Sequence, residues 1–216
     1  EKSDCKVYHA ELFGKRQSKY DWLDAHQLDI KNYQLLKPES PWYFFIPRDT
    51  KKIKNFLKWK KINEIFPVNI SGIVTARDHF VIDFDINSLR RKILQFRNQS
   101  IPDEEIKYAY NLKNTRSWNL SKARKILQNE ENWETYFKKI LYRPFDFREI
   151  YYTPIMIDWG RQDVMRNMLE INNIGLITSK RVEGNKRWEH IFVADKMVTH
   201  HAVSMKEVNI FFPLYI

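Results

Sequence analysis

Two sets of carboxylates in the sequence have the types and spacing to hold a divalent metal ion. Asp83 and Asp85 are two positions apart in a strand-like segment, so both side chains would share one face of the strand. Asp103 and Glu105 form a second set, close to Lys107. Metal-dependent nucleases hold their ion with clustered carboxylates, so a nuclease is one hypothesis. The second set lies at a predicted helix start, where acids are favoured without any metal, and we therefore favour capping and solvent-exposed roles.

Other catalytic signatures are missing from the sequence. The five glycines are isolated from one another, so neither a phosphate-binding loop nor a dinucleotide-binding fingerprint is present. His200 and His201 are adjacent on a predicted strand, and we expect their side chains to face opposite sides. Cys5 is the single cysteine, which excludes an internal disulfide and makes a structural zinc site implausible. We predict no catalytic residue, no cofactor and no metal for this chain.

Two polar segments have the residue types that bind nucleic acid. Residues 75–78, TARD, form a predicted turn between two strands, and such a tip commonly presents recognition groups. The loop SKRVEGNKRW, residues 179–188, combines cations with an indole, which suits phosphate contact and base stacking. The alternatives are a surface Arg77–Asp78 ion pair and a merely solvated hairpin. The predicted DNA-binding residues are Thr75, Arg77, Arg161, Lys180, Arg181, Lys186, Arg187 and Trp188.

The segment LYRPFDFREIYY, residues 141–152, is the densest cluster of arginines, acids and aromatic residues in the chain. Such a segment is either a buried polar corner or a stacking surface for nucleic acid. A buried arginine needs complete hydrogen bonding, which the neighbouring acids can supply. We favour a structural corner that joins a helical middle to a strand-rich end.

The hydrophobic periodicity predicts an α+β fold, with a helical middle segment, a mixed or antiparallel β-sheet and a strand-rich C-terminal part. Strands are predicted at residues 5–13, 42–47, 73–74, 80–84, 173–181, 190–195, 197–203 and 208–216. Helices are predicted at 51–62, from 87, at 101–110, from a cap at Ser121, and at 161–170.

The charge balance indicates a polyanionic partner. The chain has 37 basic and 27 acidic residues, a formal net charge of +10. Residues 51–61, 86–102 and 106–129 are basic segments without any acid. The single cysteine indicates a reducing compartment, so we expect a cytoplasmic protein. The sequence has no apolar run of membrane-spanning length, and we expect no membrane partner.

The order of these segments resembles the C-terminal target recognition region of single-chain type ISP and type IIG restriction–modification adenine methyltransferases. The resemblance is carried, in order, by VYHAELFGKRQSKYDWL, PWYFFIPRD, SGIVTARDHFVIDFD, LYRPFDFREIYY, NIGLITSKR and FFPLYI. It implies a non-catalytic domain that binds double-stranded DNA next to a methyltransferase domain of the same polypeptide. S-adenosylmethionine would belong to that missing domain, because neither its FxGxG-type loop nor an NPPY-type motif occurs here.

The resemblance also implies a domain division. Residues 1–50 would be a connector and first strands that follow the methyltransferase domain, and residues 51–216 the target recognition domain. Such regions usually continue beyond FFPLYI, so we expect the module to extend past residue 216. A nuclease domain, or a basic coupling module that docks onto a partner domain, are the alternatives to DNA recognition.

Overall fold

The chain divides into two units, Glu1–Lys60 and Lys61–Ile216. The computed structural model of the protein describes residues 5–27, 30–50, 52–182 and 187–216, without the side chains of Ile30 and Lys54. The two units are described separately below.

The first unit contains a short pair of strands. Its elements are β1 (Val7–His9), α1 (Arg16–Ala25), a 3-10 turn (Ile30–Asn32), β2 (Gln34–Leu36) and α2 (Ile53–Phe56). β1 and β2 are antiparallel, with Tyr8 opposite Leu35.

Two expectations for the first unit are wrong. Residues 42–47 form no strand, and Tyr43 and Phe45 are 58% and 65% exposed. Tyr43 has a φ of 47°, which breaks the extended backbone. The lysine-rich segment 51–62 is not one helix, since α2 ends at Phe56. Phe56 is 63% exposed, and a helix whose apolar face stays unburied lacks its main source of stability.

The second unit combines helices with two four-stranded sheets. Its helices are α3 (Ile62–Ile65), α4 (Asp78–Val81), α5 (Ile86–Arg97), α6 (Asp103–Ala109), α7 (Leu120–Gln128) and α8 (Gln162–Met165). Its strands are β3 (Ile70–Ser71), β4 (Ile82–Asp83), β5 (Phe137–Arg143), β6 (Asp146–Tyr151), β7 (Gly175–Ser179), β8 (Ile191–Ala194), β9 (Met197–Val198) and β10 (Asn209–Pro213). Trp133–Tyr136 and Arg166–Met168 are 3-10 turns. The predicted α+β class is confirmed.

The two sheets differ in strand direction. One has the order β4-β6-β5-β9, with β5 and β9 parallel and the other neighbours antiparallel. The other is antiparallel throughout, in the order β3-β10-β7-β8. The last strand, β10, therefore lies inside its sheet, between β3 and β7.

The core lies where the helices cover the β5–β6 hairpin. Leu89, Ile93 and Phe96 recur along one face of α5 and are fully buried, as are Ile140 and Ile150 of the hairpin. Burial of a side chain of this size stabilises the fold by roughly 1.5–3 kcal/mol, so this interface fixes the orientation of the hairpin.

Arg124 of α7 ties the helices together by hydrogen bonds. The residue is 1% exposed, and its guanidinium donates to the carbonyl oxygens of Phe96, Asn98 and Ile101 and to the Asp103 carboxylate. The carbonyl groups at a helix end have no intrahelical partner, so the arginine satisfies the end of α5 while it pairs with the start of α6.

Residues 141–152 combine a buried stem with an exposed turn. They form most of the β5–β6 hairpin, whose stem residues Leu141 and Tyr151 are buried, as the structural interpretation predicts. The turn differs, because Phe145 and Phe147 are 89% and 51% exposed.

The expectation for the paired histidines is wrong. β9 ends at Val198, so strand alternation does not reach His200 and His201. Their rings lie side by side, with centroids 4.1 Å apart. Burial, followed by the neighbouring His201, lowers the pKa of His200.

Candidate nucleic-acid interface

In the predicted recognition turn at residues 75–78, the two predicted DNA-binding side chains are buried, while Ala76 is exposed. Thr75 and Arg77 are 1% and 4% exposed. The Arg77 guanidinium donates to the carbonyl oxygens of Thr75 (3.1 Å) and Met156 (2.5 Å) and to Asp158 Oδ1 (2.7 Å). The expectation of an exposed tip is wrong here, and neither residue has a surface to offer a ligand in this conformation.

The acid and hydroxyl groups of the turn bind protein partners. Asp78 starts α4 and accepts hydrogen bonds from the Thr75 hydroxyl and from Tyr142 Oη, the latter at 3.1 Å. Burial, followed by the Asp78 charge, raises the pKa of Tyr142. Arg77 also lies over the Trp118 ring, 4.2 Å from its centroid. The segment thus connects α4, the hairpin and residues 153–158.

In the connection between β7 and β8, the predicted residues that the structure describes do lie at the surface. Lys180 and Arg181 follow β7, Arg187 and Trp188 precede β8, and all four are exposed. Trp188 is 46% exposed, and its Nε1 donates to the carbonyl oxygen of Ser179 at 3.1 Å. The indole is therefore anchored to the end of β7 while much of its ring faces solvent.

Arg187 of this connection forms only a weak ion pair. The Arg187 side chain is 89% exposed, and its Nε lies 3.8 Å from Glu189 Oε1, a surface pair that contributes little stability. The fifth predicted residue of the loop, Lys186, lies outside the described residues. The structure thus brings together Lys180, Arg181, Arg187 and Trp188.

Arg161 lies elsewhere on the same unit. It precedes α8 with a φ of 57°, and its guanidinium is 5.0 Å from the centroid of the Trp159 ring. Both residues line a cleft of about 430 Å³ that also includes Ile70 of β3. β3 is one edge of its sheet and β8 is the other, so Arg161 is not part of the surface formed by the β7–β8 connection.

A second exposed surface is the turn of the β5–β6 hairpin, in the segment for which the sequence analysis favoured a structural corner over a stacking surface for nucleic acid. We call Arg143, Pro144, Phe145 and Asp146 the hairpin tip. Arg148 supports it by donating Nε and Nη2 to the Asp146 carboxylate at 2.8–3.1 Å. This hydrogen bonding raises the pKa of Arg148. The sequence signal was the proline followed by a bulky residue between two strand-like runs.

The arginines of this hairpin are stacked on aromatic rings. The Arg148 guanidinium lies 4.0 Å from the ring centroids of both Phe84 and Tyr142. Arg143 lies 4.2 Å from the Tyr142 centroid and donates to the Tyr142 carbonyl oxygen at 2.6 Å. Stacked guanidinium groups are held in fixed positions, so the surface beside the tip is ordered.

The carboxylates that motivated the nuclease hypothesis have structural partners. Asp83 pairs with Lys92 Nζ at 2.7 Å, and Asp85 caps α5 by accepting from the backbone N–H groups of Asn87 and Ser88. Asp103 accepts from the Ser121 hydroxyl and from Arg124.

These contacts change the pKa values of the carboxylates but do not group them into a metal site. The Ser121 hydrogen bond holds the pKa of Asp103 below its usual value. Burial acts to raise the pKa of Asp83, but the hydrogen bond from Lys92 and other contacts outweigh it, and the pKa is lowered. Across the described part of the chain, no group of three or more His, Cys, Asp or Glu side chains is placed to hold a metal ion.

Within the same residues, no helix has the length and apolar character needed to cross a bilayer.

Comparisons with known proteins identify a family and a fold. A model of the Type ISP C-terminal specificity domain matches residues 64–216. No curated protein matches the chain by sequence. Among solved structures, the DrdV–DNA complex is similar, with a TM-score of 0.56 and 17% identity over 97% of this chain and 22% of that chain.

Two Type ISP restriction–modification enzymes are also similar. A nuclease-deletion mutant of LlaGI, in complex with a DNA substrate mimic, has a TM-score of 0.56 and 17% identity over 96% of this chain and 18% of that one. The ATP-dependent enzyme LlaBIII, bound to DNA, has a TM-score of 0.52 and 17% identity over 85% of this chain and 12% of that one. The chain thus spans less than a quarter of each of these proteins, and identities this low show the shared fold alone. Because the family model covers most of the sequence, this protein belongs to the Type ISP C-terminal specificity domain family.

Proposed function

We propose that this chain recognises a specific sequence in double-stranded DNA as the target recognition domain of a restriction–modification polypeptide. The observation that carries the proposal is that Lys180, Arg181, Arg187 and Trp188 are exposed at the two described ends of the β7–β8 connection, in a specificity-domain fold. A loop on a rigid antiparallel sheet can enter a groove while the sheet holds its position. The DNA-bound state of the similar enzymes supports the same partner.

Some residues of the connection would contact the DNA backbone and others the bases. Lys180 and Arg181, next to the end of β7, are suited to phosphates, which supply affinity without sequence information. The Arg187 side chain is 89% exposed, and it has the forked donors that match guanine O6 and N7 in the major groove. Trp188, anchored through Ser179, would pack against the backbone or a base.

The wider enzyme is part of the same proposal. We propose that the chain adjoins an N6-adenine methyltransferase domain, which would bind S-adenosylmethionine and extrude the target adenine from the duplex. The sequence resemblance to adenine methyltransferases supports this, and neither catalytic motif occurs in these residues. The chain would then hold the DNA while another domain acts. The single cysteine supports a reducing, cytoplasmic setting, and the resemblance to restriction–modification enzymes supports a bacterial one.

A salt titration of DNA binding tests the proposal. We expect a fluorescein-labelled random-sequence duplex to bind the chain with an affinity that falls as salt rises, by about 0.9 log units per log unit of salt for each phosphate contacted. The triple variant K180A/R181A/R187A should bind more weakly and reduce that slope. A matched control, K113A/R116A/K122A, removes the same charge from exposed helical and loop positions and should change the slope less.

Two results would contradict the proposal. One is the absence of binding by the wild-type chain at low salt. The other is an equal loss of affinity in both triple variants, which would show that the net charge rather than the β7–β8 connection determines binding.

Base readout by Arg187 has its own test. Selection of bound duplexes from a random pool should enrich a sequence motif with the wild-type chain. Arg187→Ala should relax one position of that motif, at a cost of about 1–3 kcal/mol on the preferred sequence. An unchanged motif with uniformly weaker binding would instead assign Arg187 to a phosphate.

A further inference from the structure

Phe145, at the hairpin tip, has an unusual combination of exposure and backbone conformation. Its side chain is 89% exposed, and its φ is 63°, in the left-handed region. A bulky residue is disfavoured there, because its Cβ approaches the carbonyl oxygen, and glycine or asparagine usually occupies such turns. Neither the exposure nor the conformation favours folding, so stability alone gives no reason for a phenylalanine at this position.

The tip is held in place by the rest of the unit. Pro144 fixes its own φ, and the β5–β6 ladder is closed by pairing of Arg143 with Asp146. Arg148 holds the Asp146 carboxylate through three contacts and is itself packed between Phe84 and Tyr142. Phe145 therefore lies in a turn that is held in place by these contacts and that continues into the buried stem of the hairpin.

The charge beside Phe145 is positive. Arg148 is neutralised by Asp146, whereas no carboxylate among the described residues lies within 4.0 Å of the Arg143 guanidinium. A protruding apolar ring with a cation at its base matches a nucleic acid, in which stacked bases lie between lines of phosphates.

We propose that Phe145 inserts between stacked base pairs of the bound duplex, with Arg143 binding an adjacent phosphate. Side chains that insert in this way partly unstack one base step and kink the DNA. A rigid, preformed wedge lowers the cost of ordering the protein on binding. This inference rests on the proposed DNA recognition but assigns a second contact surface, separate from the β7–β8 connection.

A pair of duplexes of one sequence, intact or with a central abasic site, tests the insertion. The abasic duplex already has a gap in its stack, so a wedge gains more from binding it. We expect the wild-type chain to bind the abasic duplex about tenfold more tightly than the intact one, in anisotropy titrations at fixed salt. Phe145→Gly should remove this preference while the salt dependence from the β7–β8 connection persists.

The variants are chosen so that misfolding cannot explain the result. Glycine and asparagine both adopt a positive φ readily, so Phe145→Gly and Phe145→Asn should melt at or above the wild-type temperature. Tyr108→Ala is the matched control, because Tyr108 is 91% exposed on the regular helix α6. This control should retain the preference for the abasic duplex.

The possible results separate this inference from the proposed function. Salt-dependent binding with an equal preference in wild type and Phe145→Gly would overturn insertion and leave DNA recognition intact. No binding of either duplex by the wild-type chain would overturn both. Concentration-dependent self-association that Phe145→Gly abolishes would assign the ring to a second copy of the chain and overturn the wedge.

Discussion

At the scale of single residues, Arg77 shows how a residue suited to base recognition can have a structural role instead. Its guanidinium contacts Met156 and Asp158, 79 and 81 positions away in the chain. The sequence shows the cation and the polar turn, but only tertiary folding brings residues 156–158 over that turn. The residue type therefore predicted that Arg77 would form strong hydrogen bonds, but it did not predict which groups would accept them.

Arg77→Ala should destabilise the protein by about 3 kcal/mol, because it leaves Asp158 and buried carbonyl groups without their partner. Urea denaturation followed by tryptophan fluorescence measures the change. Arg116→Ala, at an exposed position, should change the unfolding free energy by less than about 0.5 kcal/mol. Equal stability of Arg77→Ala and wild type would contradict the structural role.

Two neighbouring tyrosines should respond in opposite directions to loss of the hydroxyl group. Burial raises the pKa of both Tyr151 and Tyr152. The Tyr151 hydroxyl has no hydrogen-bond partner among the described atoms, whereas Tyr152 Oη donates to the Gly160 carbonyl oxygen at 2.6 Å. Removing an unpaired buried polar group is favourable, and removing a bonded one is not.

Tyr151→Phe should therefore raise the unfolding free energy, and Tyr152→Phe should lower it by about 1 kcal/mol. Each variant serves as the volume-matched control for the other in the same denaturation experiment. A loss of stability in Tyr151→Phe would reveal a hydrogen bond that the structure does not show.

At the scale of elements, local signals predicted the helices better than the sheet pairing. The apolar repeat of α5 and the Pro102 start of α6 are encoded within a few residues, and both helices are present. The parallel β5–β9 pair and the β3–β10 pair join segments distant in sequence, so no local pattern specifies them. The same reason explains why residues 42–47 were predicted to be a strand, since their apolar run indicates burial but not a partner.

The cap of α7 was predicted two residues beyond its position. Asn119 caps the helix by accepting from the Lys122 backbone N–H at 2.9 Å, while the predicted cap, Ser121, donates to Asp103. Both residue types favour helix starts, and the choice between them depends on where α6 places its carboxylate.

Asn119→Ala should lower the unfolding free energy by about 1 kcal/mol through loss of this cap. Lys122→Ala, inside the same helix, keeps the capping hydrogen bond and is the control. Similar destabilisation in both variants would show that the loss comes from the helix surface rather than from its first turn.

At the scale of the whole molecule, several carboxylates make the stability of the fold depend on pH. The pKa values of Asp83, Asp85 and Asp103 are all held below the usual 3.8 by contacts that the folded protein makes. A lowered folded pKa contributes stability that is present above the unfolded pKa and is lost as the pH falls through the folded one. Acid should therefore destabilise the protein mainly below about pH 4.

The variant Asp103→Asn should lose less stability as the pH falls, because it removes one of the titrating groups. Denaturation midpoints measured between pH 6 and pH 2.5 would show a smaller decrease than in wild type. The exposed Glu131→Gln is the charge-matched control and should leave the slope closer to that of wild type. Identical slopes in Asp103→Asn and wild type would exclude Asp103 as a source of the acid sensitivity.

The position of β10 sets a condition on when this protein can fold during its synthesis. Asn209–Pro213 occupies an inner place in its sheet, and Gly175 of β7 lies so close to the Phe211 ring that a Cβ there would approach within 2.1 Å. β3 and β7 leave the ribosome long before the strand that joins them. Until residues 209–213 emerge, both strands have an unpaired edge, and such edges favour association with other chains. We therefore expect the chain to be more prone to aggregation before residues 209–213 have emerged than after this sheet is complete.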